Sequence, residues 1–137
     1  MSEHAEPQRI EVPGWQAPHG YSDGMSARGR VVTTAGIIGW NPADGTFASD
    51  DLAEQVGQTL RNVVRVLAAA GAEPRHLVRL TWYLTDRDEY VAARRVIGEH
   101  YRSIVGRHYP AMAVVIVRGL LEPRAKVEIE ATAVVPE

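Results

Sequence analysis

Glu128 and Glu130 lie two residues apart in the stretch KVEIEATAVV (126–135), where charged and apolar residues alternate. Successive side chains of a strand point to opposite faces. Val127, Ile129, Ala131 and Ala133 therefore share one face, and Lys126, Glu128, Glu130 and Thr132 the other. A carboxylate among apolar residues needs water, a cation or a ligand, because an unpartnered buried charge is costly. In that setting Glu128 could position or activate a water, or exchange a proton with a bound ligand. A carboxylic acid in an apolar cleft has a raised pKa, which favours such proton transfer. The competing role is an ion pair with Arg118 or Lys126. The preceding stretch, AMAVVIV (111–117), is almost continuously apolar. It predicts a strand covered on both faces and paired with the acid-bearing one.

The remaining reactive residue types narrow the chemistry. The chain of 137 residues has no cysteine, which removes disulfides, thiolate nucleophiles and cysteine-held metals together. His100 and His108 are eight residues apart, with Glu99 beside the first. That is not the i, i+4 spacing of a helical zinc site, so no metal and no cofactor is expected. His19 and His76 fall in or near loops and are expected to be solvated. Arg61, Arg65, Arg94, Arg95 and Arg102 accompany acids on helix faces, which predicts a solvated surface. Arg118 ends the apolar strand and is a candidate cation for the site, although six strand residues separate it from Met112, about 20 Å. A formal net charge of -2 lacks the basic excess of a nucleic-acid binder. No stretch has the apolar core of a secretory signal or the ~18 residues of a membrane span, so a cytoplasmic protein is expected.

The elements that must position these groups follow from periodicity. Length and composition predict a single domain over 1–137, with residues 1–9 loose. A short edge strand is predicted over 10–15, limited by Pro13-Gly14, and a loop over 16–24 carries Tyr21. The β-branched stretch 30–40 predicts a strand, interrupted at Gly36 and Gly39 by a bulge or a close approach. A turn over 41–45 leads to a helix that starts near Asp50 or Asp51. Leu52, Val56, Leu60, Val63, Val64 and Leu67 form its apolar stripe, and Gly71 ends it. A strand over 76–84 contains Trp82 and Tyr83. A second helix, capped at Thr85 or Asp86, turns Tyr90, Val91, Ala93, Val96, Ile97, Tyr101 and Ile104 inward and closes at Gly106. The order is β-β-α-β-α-β-β, with two helices on one face of a sheet. Nothing in the sequence covers the other face, which predicts closure against further copies of the chain.

The stretches TTAGIIGWNPADGTF (33–47), LAEQVGQTLRNVVRVLAAAGAEPRHLVRLTWYLTDRDEY (52–90) and YPAMAVVIVRGLLEPRAKVEIEATAVV (109–135) resemble the Rid (reactive intermediate deaminase) family, also called YjgF-like. The resemblance spans about residues 21–135. It implies a chorismate-mutase-like α+β fold with one mixed sheet, a homotrimer around a central β-barrel, and clefts between neighbouring subunits. It also implies hydrolysis of enamines or imines to a carbonyl compound and ammonia. By resemblance Glu128 is the catalytic acid, and Tyr21, Ala35, Gly36, Met112 and Val114 line the substrate cleft. Three of these depart from the family pattern. Met112 stands where the family has a carboxylate-binding arginine, Ala35 where it has serine, and Val114 where cysteine is common. A thioether cannot replace the two parallel hydrogen bonds of a guanidinium. The expected cleft is therefore more apolar and suits a bulkier or less anionic ligand, with Trp40 or Trp82 available for stacking.

The leading expectation is an imine or enamine deaminase acting on a small molecule. The alternatives are a trimer that binds a metabolite without turnover, a ribonuclease, and a protein whose surface rather than its cleft is used. The acidic balance and the missing histidine pair weigh against the ribonuclease, and neither nucleic acid nor membrane is an expected partner.

Overall fold

The structure, a computed structural model, describes residues 6–137. Its main sheet has the order β3-β7-β5-β6, built from β3 (Arg30–Thr33), β5 (Leu77–Leu84), β6 (Ala111–Ile116) and β7 (Val127–Val135). β4 (Ile37–Ile38) also pairs with β7. β7 runs antiparallel to β3, β4 and β5, whereas β5 and β6 are parallel. A parallel pair needs a crossover, and α2 (Arg87–Ile104) supplies it. The fold is α+β, as the sequence predicts.

α1 (Leu52–Ala69) begins where the Asp51 carboxylate accepts the Glu54 N–H at 3.0 Å. Asp86 does the same for α2, accepting the Glu89 N–H at 2.9 Å. α1 ends at Gly71, whose φ of 77° lies in the left-handed region that favours glycine. Leu52, Val56, Leu60, Val63 and Leu67 are buried against Val127, Ile129, Ala131 and Ala133 of β7 and Leu80, Trp82 and Leu84 of β5 in one core. α2 packs on α1 but stands off the sheet, and its buried residues are Ile97 and Tyr101. Val91 and Val96, expected inward, are exposed because they fall to either side of the arc of α2 centred on Ile97 and Tyr101.

Several elements differ from the sequence reading. The expected strand over 10–15 gives way to β1 (Gln8–Ile10), paired antiparallel with β2 (Gly24–Ser26) in a separate ribbon, while the expected loop over 16–24 holds up to the start of β2. Pro13 and Gly14 sit beyond the end of β1. Residues 8 and 9 of the expected loose tail over 1–9 are instead paired in β1, and residues 1–5 of it lie outside the described residues. The stretch 30–40 is split, because residues 34, 35 and 36 oppose only 130 and 131 of β7, which is a bulge. The Thr34 hydroxyl accepts the Ala131 N–H at 3.0 Å and so keeps that β7 amide satisfied. β6 is an edge strand beyond β5 and does not pair with β7. Val114, Val115 and Ile116 are 43%, 39% and 48% exposed, so the apolar stretch that predicted a doubly covered strand is uncovered in the single chain. His76 is buried, not solvated. Its Nδ1 accepts the Glu73 N–H at 2.9 Å in a turn of 3₁₀ helix, Pro74–His76. Among the described residues no helix is long and apolar enough to cross a membrane.

One buried polar side chain ties the helical layer to the start of β7. Gln55 donates to the Ser49 and Arg124 carbonyls at 3.1 and 3.0 Å, and its Oε1 accepts the Lys126 N–H at 2.8 Å. Leucine at this position leaves all three backbone groups without that partner. Gln55→Leu is expected to lower stability by about 1–3 kcal/mol, read as a lower urea midpoint with an unchanged slope. An unchanged midpoint would show that the clamp contributes nothing.

Candidate functional site

Glu128 lies near the start of β7, with Ile38 of β4 on one side and Tyr83 of β5 on the other. Alternation along β7 turns Glu128, Glu130 and Thr132 away from the helices, onto the face that no described helix covers. The competing ion pairs with Arg118 and Lys126 are not formed. The Lys126 ammonium binds Glu89 at 2.8 Å, and Arg118 lies in a separate hollow with Asp50, Thr85 and Lys126. Among the described residues no side chain makes a hydrogen bond or ion pair with the Glu128 carboxylate. The Tyr83 hydroxyl donates instead to Glu130. That hydrogen bond is the main reason the Tyr83 phenol titrates above its ordinary value, with burial and the charges of Glu130 and Glu128 adding to it.

Gly36 leaves space for the Glu128 carboxyl group. A Cβ on Gly36 would fall 2.6 Å from the Glu128 carboxyl carbon, closer than non-bonded atoms approach. The bulge at residues 34–36 brings this backbone beside the acid, and Ala35 precedes it in the same bulge. Glu128, Ala35 and Gly36 therefore form one group on the open face.

Tyr21, Met112 and Val114 form another group. They line a cavity of about 500 Å³ between α2 and the sheet, together with Trp82, Tyr101 and Tyr109. Met112 and Val114 pair in register with Leu80 and Trp82, which places them on the helix side. The loop carrying Tyr21 is held at the head of β6, where the Ser22 N–H donates to the Pro110 carbonyl at 3.0 Å and its hydroxyl donates to the Tyr109 carbonyl. Trp82 and Tyr101 stack with ring centres 6.5 Å apart, and Tyr101 and Tyr109 at 5.3 Å. The Tyr101 hydroxyl donates to the His108 carbonyl at 2.6 Å, and burial holds its phenol above the ordinary tyrosine range. His108 Nε2 lies 2.7 Å from the Leu77 carbonyl, an acceptor, so that nitrogen carries the proton and the ring serves as a brace.

A single chain does not bring the six expected site residues together. Three face the cavity and three face the opposite side of the sheet. Trp82 stands in the cavity wall, whereas Trp40 does not line it. Arg94 and Arg102 are exposed, as the sequence predicts, but they also line the same cavity from α2, a role the sequence reading missed. A signal was present: Arg94, Gly98 and Arg102 recur every four residues, and a glycine inside a helix costs about 1 kcal/mol relative to alanine. Among the described residues there is no cluster of three or more His, Asp or Glu able to hold a metal.

Residues 14–135 match the family model described as Endoribonuclease L-PSP. The chain belongs to the Rid (YjgF-like) family. It is 30% identical over 105 residues to the human 2-iminobutanoate/2-iminopropanoate deaminase, covering 77% of this chain and 73% of that one. Among solved structures, the Rid-family protein YyfB of Yersinia pestis, of unknown function, superposes with a TM-score of 0.83 at 30% identity, over 95% of this chain and 99% of that one. TdcF of E. coli, solved with bound serine, gives a TM-score of 0.66 at 31% identity over 93% and 98% of the two chains. The Rid fold therefore accounts for the α+β architecture.

The contact between Gly36 and Glu128 carries a structural prediction. In Gly36→Ala the carboxylate, the flexible partner, is the group that must move. A crystal structure of this variant is expected to show Glu128 in a new rotamer, with the melting temperature within a few degrees of wild type. An unmoved Glu128 would show that the glycine does not set its position.

Proposed function

We propose that this Rid-family protein is an imine or enamine deaminase that works as a homotrimer. Its site forms where the aromatic cavity of one subunit meets the Glu128 face of a neighbour. The supporting observation is the division of the candidate residues between opposite faces of one sheet. The cavity offers walls and ring faces but no carboxylate, and Glu128 offers a carboxylate without walls. Only a second copy of the chain can join them. The apolar edge of β6 and the uncovered sheet face suit such a copy, since each covered Val or Ile side chain contributes about 1.5–3 kcal/mol when fully buried.

In this reading Glu128 takes a proton from a water as the water oxygen bonds to the imine carbon. The proton passes to the nitrogen, giving a carbinolamine. Glu128 then carries the hydroxyl proton of that intermediate to the nitrogen, which leaves as ammonia and gives the carbonyl product. The two proton transfers and one water balance the reaction, and no cofactor is required. The names of the human deaminase and of serine-bound TdcF support a small ligand related to amino acids.

Imines generated in place by an amino acid oxidase are expected to release ammonia faster with the protein than without it. Glu128→Gln should lower kcat/KM by roughly 100-fold or more, and light scattering should give three times the 15.1 kDa chain mass. Full activity in Glu128→Gln would remove the acid from the mechanism. Thermal stabilisation by the same ligands without ammonia release would support a binding protein in place of an enzyme.

A further inference from the structure

We infer that Arg94 and Arg102 form an anion subsite that, with the Trp82–Tyr101–Tyr109 stack, makes the cavity specific for aromatic carboxylic acids. This inference rests on the composite-site reading and names the substrate class: imino acids with an aromatic side chain. Arg94 and Arg102 are two helical turns apart on α2 and reach the same cavity as Met112. The charge balance on α2 singles them out. Arg95 pairs with Glu99 at 2.8 Å and Arg87 with Asp88 at 3.4 Å. Among the described residues neither Arg94 nor Arg102 has an ion-pair or hydrogen-bond partner. Arg102 folds back over Gly98, where a Cβ would lie 3.3 Å from its Nη1, tighter than ordinary contact. The glycine thus clears a path for the guanidinium along the cavity wall.

The apolar part of the cavity points to the rest of the ligand. The half-buried Tyr109 at the end of the stack and the exposed Tyr21 offer ring surface to an aromatic group, and guanidinium groups bind carboxylates with charge-assisted hydrogen bonds. Trp82 is 4% exposed, and its buried indole N–H has no acceptor among the described residues. In the single chain the cavity of about 500 Å³ falls within the range of drug-sized ligand sites. Arg118, the cation expected from sequence, lies outside it. The missing arginine at position 112 is therefore replaced from the helix and not from the strand, and the ligand stays anionic while gaining a ring.

Calorimetry on the intact oligomer tests this with the stable keto-acid product phenylpyruvate. Phenylpyruvate is expected to bind at least 10-fold more tightly than pyruvate. Arg94→Gln combined with Arg102→Gln should weaken phenylpyruvate roughly 10- to 100-fold while leaving neutral 2-phenylethanol within about 2-fold. Circular dichroism melting checks that the double variant is folded, and the single variants serve if it is not. Wild-type phenylpyruvate affinity in the folded double variant, or equal affinity for pyruvate, overturns the subsite. Glu128→Gln should still bind phenylpyruvate. If phenylpyruvate binds through the arginines but no imine is hydrolysed, the deaminase reading fails and the subsite stands. If the double variant deaminates the phenylalanine-derived imine at the wild-type rate, the subsite fails and the deaminase reading stands.

Discussion

The two-residue alternation of β7 is the constraint on which the rest of the molecule depends. Val127, Ile129, Ala131 and Ala133 must face α1 to close the core, and all four are buried. That requirement forces Glu128 and Glu130 to the opposite face, since a one-residue slip would exchange the two sets. The cavity, in contrast, exists because α2 stands off the sheet on the core side. The same register that builds the core therefore separates the acid from the cavity. A chain folded this way holds two incomplete half-sites, and association becomes a requirement of the proposed chemistry and not an addition to it.

Local features hold these half-sites in place by close approach of backbone and side chain. The bulge at residues 34–36 uses the Thr34 hydroxyl to keep the β7 amide of Ala131 satisfied, which frees Gly36 to lie against Glu128. Asn62 of α1 donates to the carbonyls of Ile38 and Trp40 at 3.0 and 2.9 Å, anchoring the strand that follows. Gly39 meets α1 so closely that a Cβ would fall 2.7 Å from the Gln55 carbonyl. Position and polarity are set by glycine and buried amides, while the apolar stripe of α1 provides the general stabilisation.

Much of the fold was legible in the sequence because its signals are local. Asp51 and Asp86 cap helices close to where the sequence places their starts, and β7 alternates as read. The phase between strands was not legible. Alternation orders Met112 and Val114 along β6, and Glu128 along β7, but the intervening register of β5 decides which faces they share. The apolar character of β6 predicted a strand covered on both faces, whereas in the single chain it is an edge whose cover must come from elsewhere. His76 is buried because a 3₁₀ turn uses its ring as an acceptor, a contact that a loop-like sequence does not announce. Arg94 and Arg102 sat in plain view at four-residue steps, yet solvated helix faces have the same pattern until α2 is found above a cavity.

The composite site is tested most directly by mixing two defective chains. Glu128→Gln removes the acid and keeps the cavity, and Met112→Trp fills the cavity and keeps the acid. Each is expected to assemble at wild-type size and to release no ammonia alone. Co-expressed and mixed at random, about a quarter of the intersubunit sites would combine an intact cavity with a neighbour's intact Glu128. The account predicts that a corresponding share of wild-type activity returns. Mixed oligomers as inactive as their parents would contradict it.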